Sequence, residues 1–169
     1  MLYLKGPNGS GKSTLLRLMA GLLRPSIGSF TWGGIDISDD DELFRSLIHY
    51  VGHQDAIKTA LTVEENLSFW VNINSGTHKK NNVREALDHF SLEKFAKLPA
   101  KFLSAGQRKR LNLARICASW APLWLLDEPS NSLDSESLNT LNTAMSDHQA
   151  KGGMIAIATH DTIDLVHNY

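Results

Sequence analysis

The stretch that decides the fold of this chain runs Gly6-Pro7-Asn8-Gly9-Ser10-Gly11-Lys12-Ser13. It satisfies the pattern G-x-x-x-x-G-K-[ST], in which a glycine-rich loop curls around phosphate oxygens and offers them its backbone N–H groups. An apolar run before the loop predicts a buried strand over Leu2–Lys5, and helically spaced leucines after it predict a helix. A chance glycine-rich turn is the alternative, and this strand–loop–helix context argues against it.

Three side chains at the end of the loop are suited to act on a bound nucleotide. Lys12 brings a point charge to the β- and γ-phosphates, and the Ser13 hydroxyl can bind Mg²⁺. Thr14 is placed to bond the α-phosphate. The loop alone does not separate kinases, GTPases and motor or transport ATPases.

Strands and helices alternate along the rest of the chain. Short apolar runs predict buried strands at Leu47–Val51, Leu123–Leu126 and Met154–Ala158. The middle of the chain reads as helical, and Thr62 with Glu65 forms a predicted capping box at the start of one helix. This order predicts an α/β fold of the P-loop NTPase type, with a largely parallel core sheet and an inserted helical subdomain at about residues 60–119.

Composition narrows the function classes. The chain has 169 residues, enough for one domain, and its 17 Lys+Arg against 18 Asp+Glu give a net charge of −1. This balance argues against a broad basic face and so against nucleic acid as a partner. Cys117 is the single cysteine, which excludes an internal disulfide and favours a reducing, cytosolic compartment.

An acidic pair supplies a second candidate element of the phosphate site. Asp127 ends the apolar run Leu123–Leu126, and an acid at this position can hold Mg²⁺ directly or through water. Glu128 follows it and is the natural general base for an attacking water. An acidic strand end at the surface is the alternative, and the loop at Gly6 argues against it.

The segment Leu103-Ser104-Ala105-Gly106-Gln107 resembles the LSGGQ signature of the ATP-binding cassette (ABC) family, with Ala105 in place of the commonest glycine. Ser104 and the exposed N–H groups of a helix start form an anion site on physical grounds. The resemblance implies that Ser104, Gly106 and Gln107 close on the γ-phosphate of an ATP held by a second copy, in a head-to-tail dimer. It also implies an ATPase with ATP and Mg²⁺ as its ligands.

Three further positions match the family in order along the chain. Gln54 matches the glutamine that senses Mg²⁺ and the attacking water, so the resemblance makes it both a metal and a catalytic candidate. Asp134 matches the aspartate that crosses the dimer interface, and His160 matches the switch histidine that contacts the γ-phosphate. Taken singly, Gln54 could be a solvated amide, Asp134 a helix cap and His160 a surface residue.

Within the family, the stretches Val51–Phe69 and Ala121–Pro129 look most like the haem-exporter ATPases of bacterial cytochrome c maturation. The resemblance implies transmembrane transporter subunits as partners and a peripheral position on the cytoplasmic face of the bacterial inner membrane. No direct haem site is expected in this chain, because its histidines are scattered and lack a C-x-x-C-H pattern. Export of haem is itself an inference within that subfamily.

The sequence departs from the family at both ends. Family members place two antiparallel strands before the phosphate loop, and here these are missing, with no adenine-stacking aromatic to name. We therefore expect residues 1–169 to be one ABC ATPase domain truncated at both ends. A truncated, non-catalytic interaction subunit and a soluble non-transport cassette ATPase remain as alternatives.

The basic run Arg108-Lys109-Arg110 is interpreted as a solvated face, with a phosphate-side role as its alternative.

Overall fold

The computed structural model describes residues 1–73 and 82–159, and the elements are named within those ranges. The strands are β1 (Leu2–Lys5), β2 (Thr31–Trp32), β3 (Ile35–Asp36), β4 (Ile48–Val51), β5 (Leu123–Asp127) and β6 (Met154–Thr159). The helices are α1 (Lys12–Met19), α2 (Asp41–Ser46), α3 (Val63–Ile73), α4 (Val83–His89), α5 (Ala105–Ala118) and α6 (Ser135–Ala150), with 3₁₀ turns at Glu93–Phe95 and Ala100–Phe102.

The core is a four-stranded sheet in the order β1-β6-β5-β4, and all of its pairs are parallel. Strands β2 and β3 form a separate antiparallel hairpin. Because parallel strands end at one edge of a sheet, the loops that follow β1, β4 and β5 gather at that edge. The predicted α/β fold with a largely parallel sheet is confirmed, and this edge brings the candidate residues together.

Both faces of the sheet are covered, which explains why the central strands are continuously apolar. Along β5, Leu125 packs with α1 and α2 on one face, whereas Leu126 packs with the helices of the other face. Both leucines are fully buried. Burial of a leucine side chain contributes about 1.5–3 kcal/mol, so this strand is firmly held where it delivers its terminal acid.

The middle of the chain packs α3, α4 and α5 against one another and onto the second face of the sheet. The predicted capping box starts α3, since Thr62 N donates to Glu65 Oε2 at 2.8 Å and Glu65 N donates to Thr62 Oγ1 at 3.2 Å. The boundaries of about 60–119 for a helical subdomain stay a prediction. The polar segment predicted as a surface loop falls on residues 74–81, which lie outside the described residues.

Candidate functional site

The glycine-rich loop leaves β1 and enters α1 through two residues in the left-handed region. Gly9 has φ of 82° and Gly11, the N-cap of α1, has φ of 90°, values that residues with a Cβ rarely adopt. The loop also closes tightly on itself, because a Cβ on Gly6 would lie 2.8 Å from Ser10 Oγ. The backbone of the loop therefore requires glycine at Gly9 and Gly11, and at Gly6 a side chain would displace the Ser10 hydroxyl.

The Lys12 ammonium lies over the loop that precedes it. Its Nζ donates to the carbonyl oxygens of Gly6 at 2.7 Å and Pro7 at 3.1 Å. These two bonds fix a positive charge at the concave side of the loop. Thr14 follows on the first turn of α1, and Thr14 and Lys12 both line a cavity beside the loop.

A hydrogen bond joins the two halves of the site across the fold. Ser13 Oγ donates to Asp127 Oδ1 at 2.9 Å. Asp127 is 1% exposed at the end of β5, and its other carboxylate oxygen, Oδ2, has no hydrogen-bond partner among the described residues. Carboxylate and hydroxyl oxygens are the hard donors that Mg²⁺ prefers. A buried carboxylate oxygen with spare capacity beside a hydroxyl therefore fits a magnesium ligand set.

Glu128 occupies a backbone conformation that is unusual for a residue with a side chain. Its φ is 49°, in the left-handed region. Main-chain hydrogen bonds hold it there: Glu128 N donates to Ala158 O at 2.9 Å, and Asn131 N donates to Glu128 O at 3.3 Å. The chain turns sharply off β5 at this residue, and Glu128 lines the cavity of the phosphate loop.

The loop and the acidic pair enclose a cavity of about 420 Å³. It brings together predicted residues from two separate segments, the phosphate loop and the acidic pair. Its lining is Asn8, Gly9, Ser10, Gly11, Lys12, Ser13, Thr14, His53, Asp127, Glu128 and Asn131. His53 and Asn131 are lining residues that the sequence analysis missed. His53 could have been proposed from the sequence because it directly precedes Gln54, whereas no motif indicates Asn131.

Gln54 is placed differently from the other members of the predicted site. It is exposed, and it lines a neighbouring groove of about 430 Å³ together with Tyr50, Trp70 and Arg115. Its neighbour His53 is the residue of this loop that reaches the phosphate cavity. The structure therefore brings the loop after β4 to the site without bringing Gln54 onto the cavity wall. His160 lies outside the described residues.

The interpretation of the basic run 108–110 as a solvated face is wrong for Lys109. Lys109 is only 7% exposed, and its Nζ donates to Glu128 O at 3.4 Å. Burial lowers the pKa of Lys109, while the nearby carboxylates of Asp55, Asp127 and Glu128 act in the opposite direction. A run of like charges is usually solvated. Lys109 is buried instead because it lies on the face of α5 that packs against the sheet.

The signature-like segment starts α5 with a complete capping box. Gln107 N donates to Ser104 Oγ at 3.2 Å, and Ser104 N donates to Gln107 Oε1 at 2.8 Å. Ser104 is exposed, and a Cβ on Gly106 would meet no atom within 4 Å. None of Ser104, Gly106 and Gln107 is among the described residues that line the phosphate cavity of the same chain. They form a separate surface patch, exposed at Ser104 and half-buried at Gly106 and Gln107.

Asp134 caps α6. It accepts from Ser137 N at 2.8 Å, and hydrogen bonds from Ser137 lower the pKa of the Asp134 carboxyl. Asp134 is exposed, and Ser132, two residues before it, has φ of 65°. The helix cap explains an acidic residue at this position within one chain. The exposed side of Asp134 stays accessible to another molecule.

Within residues 1–73 and 82–159, His, Cys, Asp and Glu side chains form no cluster of three or more that could hold a metal ion. In those same ranges, none of the helices combines the length and the apolar character needed to cross a bilayer.

Comparison with known proteins gives consistent matches. The profile of the ABC transporter family matches residues 1–131. The chain is 46% identical over 166 residues to the "Cytochrome c biogenesis ATP-binding export protein CcmA" of Paramagnetospirillum magneticum, covering 97% of this chain and 76% of that protein. It is 49% identical over 164 residues to the protein of the same name from Rhodospirillum rubrum, covering 97% of this chain and 70% of that protein.

A solved structure resembles the chain in three dimensions as well. It is described as the dimeric structure of a post-hydrolysis state of an ATP-binding cassette bound to ADP and phosphate. Its TM-score is 0.80 at 30% identity, over 98% of this chain and 76% of that one. The chain thus shares its overall architecture with an ATP-binding cassette.

Proposed function

The chain belongs to the ABC transporter family, and from that premise we propose that it is the ATP-hydrolysing subunit of an export system in cytochrome c biogenesis. The observation that carries this proposal is the hydrogen bond of 2.9 Å between Ser13 and Asp127. It joins the glycine-rich loop to the acidic strand end, and Glu128 stands beside them on the same cavity. This is the arrangement that hydrolysis of a nucleoside triphosphate requires.

Binding of ATP falls to the loop. The backbone N–H groups of the loop, which every residue from 6 to 11 except Pro7 carries, would bind phosphate oxygens. Lys12 would balance the charge of the β- and γ-phosphates, and Thr14 would bond the α-phosphate. Ser13 and Asp127 would hold Mg²⁺, which when bound offsets phosphate charge. Their oxygens supply the donor set described above.

Hydrolysis needs a base that faces the γ-phosphate. A water oxygen attacks the γ-phosphorus, the bond from that phosphorus to the bridging oxygen of the β-phosphate breaks, and ADP leaves. Glu128 takes the proton of the attacking water, and its anchored backbone keeps the carboxylate at the cavity. We include Gln54 and His160 in this step as residues that orient water and γ-phosphate.

A second copy of the chain completes the site in this proposal. Ser104, Gly106 and Gln107 are not on the cavity of their own chain, and a side chain at Gly106 would meet nothing within it. Such a patch is suited to an approach from outside. In a two-fold head-to-tail pair, the patch and Asp134 of one copy face the phosphate loop of the other. The related cassette structure that is described as dimeric supports the pairing of two copies.

The remaining partners follow from the proposed export role. Transmembrane subunits would carry the cargo, and the chain would bind them as a peripheral protein on the cytoplasmic face of the bacterial inner membrane. We propose haem as the cargo on the resemblance to haem-exporter ATPases, with no haem site in this chain and no nucleic acid partner.

The test is ATP turnover by the purified chain with and without Mg²⁺, with Lys12→Ala as the site variant. The exposed Lys94, replaced by alanine, is the matched control. The proposal predicts Mg²⁺-dependent release of phosphate that is lost in Lys12→Ala and kept in Lys94→Ala. Failure to bind ATP, together with no phosphate release, would favour the non-catalytic alternative. Turnover that survives Lys12→Ala would remove the loop from its role.

A further inference from the structure

One face of α5 carries three buried polar side chains that the proposed function does not use. Lys109, Asn112 and Arg115 follow one another at intervals of three residues, which places them along one side of a helix. They are 7%, 2% and 7% exposed. Burying a polar or charged group is energetically unfavourable unless the group is paired, so the hydrogen bonds of these side chains indicate what they hold in place.

Each of the three contacts a different part of the sheet edge where the site lies. Lys109 Nζ donates to Glu128 O at 3.4 Å, and Asn112 Nδ2 donates to Asp55 Oδ1 at 3.3 Å. Arg115 donates to the carbonyl oxygen of Tyr50 near the end of β4. The helix therefore ties the loop after β4 to the turn after β5, and Lys109 is the member that contacts the turn.

The turn at Glu128 needs such a contact. Its left-handed backbone, with φ of 49°, persists only where the surroundings over-determine it. One contact holds the amide side, from Glu128 N to Ala158 O. On the carbonyl side, the oxygen of Glu128 accepts from Asn131 N and from Lys109 Nζ. The orientation of a side chain follows its own backbone angles, so these anchors also orient the Glu128 carboxylate.

We propose that Lys109 is a positioning residue for hydrolysis: from α5 it holds the carbonyl of Glu128 and supplies the cation beside the acidic pair, so that the Glu128 carboxylate faces the γ-phosphate. This inference rests on the proposed ATPase function. Lys109 is absent from the lining of the phosphate cavity, so it acts through Glu128 and not on the nucleotide.

If Lys109 served only to pack α5, replacing it by an apolar side chain of similar size would leave ATP turnover unchanged. The rest of α5 is held by apolar neighbours such as Leu111, Leu113 and Ile116, which are nearly fully buried. Methionine has a length close to that of lysine and is cheaper to bury than an ammonium group, so Lys109→Met should leave the helix packed. What it removes is the donor and the charge at Glu128.

The experiment compares Lys109→Met and Lys109→Arg with the unsubstituted chain, and uses Lys94→Met as the exposed control. Steady-state ATP turnover gives kcat and KM. Hydrogen exchange read by mass spectrometry, without nucleotide, reports the backbone of residues 128–133. We expect Lys109→Met to lower kcat about ten-fold or more, since small misplacements of a reacting group have effects of that size. KM should stay within about two-fold, because the phosphate loop is untouched.

Exchange separates positioning from unfolding. In Lys109→Met, the turn 128–133 should exchange at least about five-fold faster while α5 itself keeps the rate of the unsubstituted chain. Lys109→Arg keeps a cation and donors and should recover kcat to within about three-fold.

Three results would overturn the proposal: a kcat for Lys109→Met within two-fold of the unsubstituted chain, equal losses in the Met and Arg variants, or faster exchange throughout α5. If the unsubstituted chain releases no phosphate, the ATPase proposal fails instead, and the exchange of the turn still decides the role of Lys109.

Discussion

Replacement of Asn66 offers a test of how the loop after β4 is built. Asn66 is 2% exposed on α3 and makes four hydrogen bonds with the loop that leads into this helix. Its Oδ1 accepts from Lys58 N at 2.8 Å, and its Nδ2 donates to the carbonyls of Lys58 at 3.0 Å, Leu61 at 3.3 Å and Thr62 at 2.9 Å. One amide side chain thus holds residues 58–62, the part of the loop that leads into α3.

The magnitude follows from which groups lose their only partner. The carbonyls of Lys58, Leu61 and Thr62 keep backbone donors when Asn66 is removed, whereas Lys58 N relies on Asn66 Oδ1. An unsatisfied N–H costs about 1–3 kcal/mol, and loss of the remaining bonds adds about 1 kcal/mol. We expect Asn66→Ala to lower the free energy of unfolding by about 2–4 kcal/mol.

Asn66→Asp makes the test sharper, because aspartate has almost the same shape. It keeps the acceptor for Lys58 N but turns the Nδ2 donor into an oxygen that faces three carbonyl oxygens. A buried acceptor against acceptors is repulsive, so Asn66→Asp should destabilise more than Asn66→Ala despite the smaller change in volume.

Urea unfolding at neutral pH measures both variants, with Asn139→Ala on the exposed side of α6 as control. The control should change the unfolding midpoint little. If Asn66→Asp proves as stable as Asn66→Ala or more so, the hydrogen-bond account of this loop is refuted.

Three further predictions concern pH, nucleotide and metal. Burial lowers the pKa of His49 from 6.5 to about 4, so as the pH falls the unfolded chain takes up this proton before the folded chain does. The free energy of unfolding should therefore fall by about 3 kcal/mol between pH 6.5 and pH 4, and urea unfolding of His49→Gln should show a correspondingly smaller loss. Lys12→Ala should weaken ATP binding about ten- to a hundred-fold in calorimetry, and unchanged affinity would exclude its phosphate role. Asp127→Asn should raise the Mg²⁺ concentration for half-maximal turnover about ten-fold or more, and an unaltered Mg²⁺ titration would contradict the ligand assignment.

The parts of the fold that local chemistry determines were predictable from the sequence. The β5 run is apolar because both faces of the sheet are covered, and the acid that ends it marks the strand terminus. The phosphate loop could be placed for a similar reason, since glycine at φ of 90° and a lysine at the helix start are demands of the loop itself. The bond between Ser13 and Asp127 then follows from topology, because β1 and β5 end at the same edge.

What could not be predicted depends on burial by distant segments. Lys109 lies in a basic run and is indistinguishable from a solvated charge until α5 is packed on the sheet edge. Asn66 follows a recognisable capping box at Thr62 and Glu65, yet its own bonds reach back to Lys58, which no helical spacing reveals. The relative placement of His53 and Gln54 is a matter of loop path, which alternation of apolar residues does not encode.

The central claim is that Glu128 acts as the base of an ATPase whose ATP is shared by two copies. Glu128→Gln tests it directly, because glutamine keeps the size of the side chain but cannot accept the proton. The anchors of the turn involve the main chain of Glu128 and survive the change, and Lys12 and the bond between Ser13 and Asp127 are untouched. Hydrolysis should therefore fall by about 10²–10⁴-fold while ATP binding remains.

The measurement is light scattering of Glu128→Gln with saturating ATP and Mg²⁺, alongside phosphate release, with the exposed Glu85→Gln as control. The account predicts a stable ATP-loaded dimer of Glu128→Gln with suppressed turnover, and normal turnover without a lasting dimer in the control. Normal hydrolysis by Glu128→Gln would remove Glu128 as the base, and a hydrolysis-deficient variant that stays monomeric with ATP would contradict the shared site and the roles given to Ser104, Gly106 and Gln107.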